Sequence, residues 1–119
     1  MKLNNFFKLC SSDVKLKIMI HLYSCDKNEC DVNEFVRLFN EKQANISKHF
    51  MDLRKNKVVT TKKTAQNVFY KMSNTFKNQF NDYLHLMSHD HCYKDFSCSC
   101  SSITNNEDQH CVHDCCVEK

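Results

Sequence analysis

Gln43 to Val59 reads QANISKHFMDLRKNKVV, and on a 3.6-residue period it sorts into two faces. Ile46, Phe50 and Leu53 fall on one stripe. Ala44, Lys48, Met51 and Lys55 fall on the opposite one, with Ser47 at its edge. One face is therefore apolar and the other small, polar and cationic. A helix that exposes small and hydrogen-bonding residues at its N-terminal end can lie in a DNA major groove and touch base edges. Val58 and Val59 then end the helical pattern and open a strand.

Working outward, Asp31 is placed to cap a preceding helix with Val32, Phe35, Val36 and Phe39 on its inner face, and Asn40 to Lys42 form the turn between the two helices. On the other side, Val59–Thr61 and Asn67–Met72 alternate like two strands around Lys62, Lys63, Thr64, Ala65 and Gln66, which predicts a β-hairpin with the two lysines at its tip. Upstream, residues 3–10 make a short helix with Leu3, Phe6, Phe7 and Cys10 inward. Ser12 caps a second helix that runs to about Ser24, with Val14, Ile18 and Leu22 on one stripe and His21 as a core filler with one satisfied nitrogen. Residues 24–30 are a loop. Ser73 and Asn74 offer caps for a last helix, on which Phe76, Phe80, Tyr83, Leu84 and Met87 share a stripe aromatic enough to want a partner.

Gln43, Ala44, Asn45, Ile46, Ser47, Lys48, His49, Phe50, Leu53 and Arg54 resemble, position by position, the recognition helix of the ArsR/SmtB family of winged-helix repressors. The resemblance covers roughly Phe6 to Met87, with helix, turn, helix and wing in the family's order. It implies a mainly α fold with a β-hairpin wing (α+β), a winged helix-turn-helix that is homodimeric through its first and last helices, and a double-stranded DNA operator as partner. The DNA-binding residues it implies are Gln43, Ala44, Asn45, Ser47, Lys48, Lys55, Lys62 and Lys63. Two metal sites of the family are not matched. At the third-helix cysteine position stands Asp31, with Cys30 one place early, about 100° around a helix. The last-helix ligand positions hold Asn74, Phe76, Met87 and Asp90, of which Asp90 alone ligates well. Cys10, Cys25 and Cys30 are either a trigonal thiolate set or buried thiols.

Charge divides the chain as the motifs do. Residues 1–87 carry 15 Lys+Arg against 8 Asp+Glu, a net +7, and residues 88–119 carry 2 against 6, a net −4. A basic body suits a polyanion. The chain has no Gly and no Pro, so every turn has to use Asn, Asp, Ser or Lys. No apolar run of about eighteen residues exists, so no membrane span is expected. MKLNNFFKLC lacks a signal-peptide pattern, and a cytoplasmic location is expected.

Residues 88–119 form a separate Cys/His-rich tail, irregular and either metal-binding or disordered without metal. Ten of its 32 residues are Cys or His, in two clusters: His89, His91, Cys92, Cys98 and Cys100, then His110, Cys111, His113, Cys115 and Cys116. Too few large apolar residues are present to make a core there. Thiolate with imidazole suits a soft or borderline ion: zinc, cadmium, cobalt, nickel or copper, with arsenite suited to the near-adjacent thiols. In a reducing compartment that chemistry, or redox sensing, comes before structural disulfides. The expected function is a transcriptional repressor that a soft ion releases from its operator. The alternatives are a regulator that senses thiol redox state, or one whose tail only stores metal. No stretch resembles a catalytic nucleophile motif, and a tail without a core cannot hold catalytic geometry, so no enzyme is expected.

Overall fold

In the order of the chain, the elements are α1 (Leu3–Cys10), α2 (Asp13–Tyr23), β1 (Cys30–Asp31), α3 (Val32–Phe39), α4 (Gln43–Lys55), β2 (Val59–Thr64), β3 (Asn67–Met72), α5 (Asn74–Gln79), α6 (Asn81–Ser88) and a 3-10 turn at Lys94–Phe96. The computed structural model describes residues 1–25 and 30–98. The helix starts are chemically specified. Ser12 Oγ accepts from the Lys15 N–H at 3.3 Å, Asp31 Oδ1 from the Glu34 N–H at 3.1 Å, and Ser73 Oγ from the Phe76 N–H at 3.1 Å, which satisfies donors the helices cannot.

α2 is the hub. Ile18, Met19, Ile20, His21 and Leu22 are all buried, because α1, α3, α4, α6, β3 and the 3-10 turn pack around it. α3 and α4 form the helix-turn-helix, with Asn40 in the left-handed region (φ 55°) at the end of α3. Phe35 and Phe39 of α3 and Ile46, Phe50 and Leu53 of α4 point into the core. Phe50 sits between Tyr70 of the wing, stacked with centroids 4.0 Å apart, and Phe35, edge-on at 5.0 Å.

Four expectations are corrected. Residues 24–30 are not all loop: Cys30 and Asp31 form a short strand paired with Tyr70 and Phe69, so the sheet has three antiparallel strands in the order β1-β3-β2. Two residues are too few to show a period of two. The second wing strand has the expected bounds, but the first runs on to Thr64, with Lys62 opposite Phe69 and Lys63 opposite Val68; both lysines are strand residues, and Ala65 and Gln66 make the tip. The last helix breaks at Phe80 (φ −114°, ψ 23°) into α5 and α6. In α1 the inward residues are Phe6 and Leu9, whereas Leu3 and Phe7 are 46 % and 49 % exposed. Phe6 stacks on Phe80 with centroids 4.2 Å apart and planes 10° apart, so the aromatic stripe of α5 and α6 finds its first partner within the same chain.

Without glycine, positive φ falls on Asn40, Lys57 and Ala65. At the wing tip Ala65 has φ 51°, where a Cβ is crowded and Gly would not be. Ala65→Gly is expected to stabilise the domain by about 0.5–1 kcal/mol, since relief of that crowding exceeds the entropy glycine adds to the unfolded chain. A higher urea midpoint at unchanged m-value is the result that checks it.

Candidate functional site

Two regions carry chemistry: the outer face of α4 with the wing, and a corner where α2, β1 and the end of the described chain meet.

On α4, Gln43, Ala44, Lys48 and Lys55 are exposed, as are Lys62 and Lys63 on β2, while Asn45 and Ser47 are half-buried. Gln43 and Ser47 face Gln66, Asn67, Val68 and Tyr70 of the hairpin across one groove, with Asp31 to Asn33 at its end. The helix and the wing thus present polar side chains to a shared trough, and lysines stand on both of its carriers. Asn45 is less available than expected, because its Nδ2 donates to Glu41 Oε1 at 2.7 Å. The α4 N-terminus holds no acidic residue in its first turn, which leaves its partial positive charge for a phosphate. Lys15 on α2 pairs with Asp52 of α4 at 3.1 Å, so Asp52 is neutralised behind the basic face.

The tail ligands separate. Cys100, His110, Cys111, His113, Cys115 and Cys116 lie outside the described residues. His89 Nδ1 is 2.9 Å from the His85 carbonyl, with the two rings 4.6 Å apart. His91 is exposed, and the Cys92 N–H donates to Asp90 Oδ2 at 2.9 Å. Cys98 goes elsewhere. Residues 93–98 fold back onto α2: Tyr93 Oη donates to Asp13 Oδ1 at 2.8 Å, Lys17 Nζ lies 4.6 Å from the Phe96 ring centre, and the Cys98 N–H donates to Ser24 Oγ at 2.8 Å. Burial works against the Asp13 carboxylate, but the Lys17 and Tyr93 hydrogen bonds hold its pKa below the usual value.

That fold-back builds the second region. His21, Cys30 and Cys98 each offer a ligand atom, all within 4.8 Å of one another, the one such three-donor group among the described residues. Cys25 Sγ lies 3.6 Å from Cys30 Sγ. His21 is buried, with Phe35 edge-on at 4.7 Å. Its Nδ1 is 2.8 Å from the Phe96 carbonyl. A carbonyl only accepts, so Nδ1 carries the proton and Nε2 the lone pair. Nε2 is buried without a hydrogen-bond partner. Burial pushes the Cys30 thiol up, helped by Cys25 and Cys98, and pushes the His21 ring down; thiol and neutral imidazole are the forms held here. Cys10 does not join the group. It lies 4.0 Å from Met87 Sδ, and burial raises its thiol to about 11. The sequence alone places His21 in the core and groups Cys98 with its sequence neighbours. A signal was present in His21 and Cys25, four apart at the end of a helix, with Cys30 five further on.

No protein-family model and no curated protein matches the sequence. Solved structures do match. HlyU from Vibrio cholerae N16961 is 28 % identical, over 72 % of this chain and 97 % of that one, with a TM-score of 0.59. The transcriptional regulator HlyU from Vibrio vulnificus CMCP6 is 28 % identical, over 68 % of this chain and 82 % of that one, at 0.57. The transcriptional repressor BigR from Xylella fastidiosa is 22 % identical, over 71 % and 84 %, at 0.59. Among the described residues no helix is long and apolar enough to cross a membrane. The resemblance seen in Gln43–Arg54 is met in three dimensions: the described chain has a winged-helix fold similar to that of ArsR/SmtB-type regulators, the architecture of a DNA-binding transcriptional regulator.

Proposed function

We propose that the protein is a cytoplasmic transcriptional repressor that holds a double-stranded DNA operator as a homodimer and releases it when a soft or borderline metal ion or metalloid binds its thiol and imidazole groups. The observation that carries the DNA half is the trough shared by Gln43, Ser47 and the wing, flanked by lysines. What supports the ion half is the density of ligands in residues 88–119 and the buried His21, Cys30 and Cys98 group. Ion binding shifts operator occupancy only if the ion prefers one dimer geometry, and about 1–3 kcal/mol of such preference changes affinity several-fold to about a hundredfold.

The homodimer reading is supported by the apolar surface that α1 and α6 leave uncovered: Leu3, Phe7 and Tyr83, the last two in edge contact at 5.8 Å, and Leu86 at 72 % exposed. Leu86→Asp is expected to shift sedimentation toward the monomer and to weaken operator binding with it, since a palindrome needs two recognition helices one DNA turn apart.

The operator reading is tested by fluorescence anisotropy on duplex DNA from upstream of the gene, with reduced protein, adding zinc, cadmium or arsenite in turn. Nanomolar to submicromolar binding that falls on adding one of them is expected. Metal bound at unchanged DNA affinity would leave a metal store, and no binding at low ionic strength would end the reading altogether. Oxidation is a second reading, favoured by the 3.6 Å between the Cys25 and Cys30 sulfurs. There a two-electron oxidant would take two electrons and two protons from the pair to make a disulfide, and diamide alone would release the operator.

A further inference from the structure

We propose that His21, Cys30 and Cys98, with Cys25 as the fourth ligand, form a site inside the winged-helix body for one divalent cation of the zinc and cadmium class. The inference rests on the soft-ion reading above only for its regulatory consequence; the site stands on geometry. Three donor atoms within 4.8 Å of one another place a central ion at most about 2.8 Å from each. Zinc bonds to nitrogen and sulfur are roughly 2.0–2.3 Å, so small side-chain movements close the site. Two thiolates on one tetrahedral zinc sit about 3.8 Å apart, and the Cys25 and Cys30 sulfurs are at 3.6 Å. The set is three cysteines and one histidine, a standard donor combination for tetrahedral zinc.

The second observation is the histidine itself. Metal-binding imidazoles characteristically give their other N–H to a carbonyl or carboxylate, which fixes tautomer and aim. The Phe96 carbonyl does this at His21 Nδ1, and Nε2 is left buried and unpartnered. Buried polar atoms are nearly always satisfied. A plain core histidine accounts for the bonded nitrogen and not for the other one. A metal–nitrogen bond accounts for both, and each thiol that ligates gives its proton to solvent.

The position gives the ion a mechanical consequence. Cys98 is the last described residue of the Cys/His-rich tail. Cys30 lies on β1, paired with Tyr70 of the wing, and Tyr70 stacks on Phe50 of α4. A filled site ties the fold-back of residues 93–98 to the strand beside the wing, and through one stacked pair to α4.

The test uses the full chain, reduced and stripped of metal, titrated with cobalt(II) under anaerobic conditions. The background is C100S/C111S/C115S/C116S, which removes the thiols that follow Cys98 in the chain. One cobalt per chain is expected, with tetrahedral ligand-field bands and thiolate-to-cobalt charge transfer, displaced by zinc. Adding Cys98→Ser or Cys30→Ser should lower the affinity about 100-fold or more and reduce the charge transfer, and His21→Gln should change the ligand-field bands while leaving most of it. Cys98 is half-buried at the edge of the core, so Cys98→Ser keeps the fold, as far-UV circular dichroism will register. The proposal is overturned if the background variant binds no cobalt through sulfur, or if its spectrum ignores both Cys30→Ser and Cys98→Ser. No DNA is present in this titration. Its failure is therefore distinct from failure of the operator reading, which anisotropy alone decides.

Discussion

Phe50→Ala is expected to remove about 3–5 kcal/mol of folding free energy, the usual cost of truncating a fully buried Phe. Phe50 is 0 % exposed, and its ring bridges the Tyr70 face and the Phe35 edge. No other side chain in the described structure joins α3, α4 and β3 through rings in this way. The loss combines unburied apolar area with two aromatic contacts and a cavity that the short α3 cannot collapse to fill. A domain of this size has about 5–15 kcal/mol in total, so the variant would lie near its folding threshold at 37 °C. Its melting temperature should drop by roughly 12–40 °C at about 4–8 °C per kcal/mol. Phe50→Leu keeps most of the volume and should cost less than half as much. Near-equal losses from the two variants would mean that ring packing does not hold the wing to the helix-turn-helix.

The residues around Phe50 show why this part of the fold was legible. From Asp31 to Met72 the determinants are local. Asp31 and Ser73 cap helices through atoms three residues away, Ile46, Phe50 and Leu53 recur at helical spacing, and β3 alternates. Sequence periodicity encodes contacts of that range. It does not encode β1, whose pairing with Phe69 and Tyr70 spans nearly forty residues. Nor does it encode the meeting of His21 with Phe96 and Cys98, more than seventy residues apart. The cysteine-rich end advertised its chemistry by composition, so Cys98 stood out as a ligand. Its partners did not, because composition groups residues by position in the chain and coordination groups them in space. Asp31 shows the converse. It stands at a family ligand position and leaves that metal site unmatched, and the structure gives it the expected work of an N-cap, with Cys30 buried beside it.

The largest effect on DNA is expected from Q43A/S47A, which should lower operator affinity roughly 100-fold or more while leaving the melting temperature nearly unchanged. Both side chains open into the trough that α4 shares with the hairpin, whereas the core contacts of α4 run through Ile46 and Phe50. Side chains of this kind at the N-terminal end of a recognition helix read base edges, and each good base contact is worth about 1–3 kcal/mol of discrimination. Two lost contacts multiply, and in a dimer they are lost at both half-sites. Non-specific binding should hardly change, because it comes from phosphate contacts. Lys63→Ala is the matching control. Its lysine is exposed on β2, and its loss should weaken operator and random duplex alike and reduce the slope of log K against log salt by about 0.9 for each phosphate contact removed. The ratio of specific to random affinity, measured for both variants across a salt series, separates the two roles. A Q43A/S47A protein that keeps the wild-type ratio would place sequence reading on some other surface, and would leave α4 as a positioning helix only.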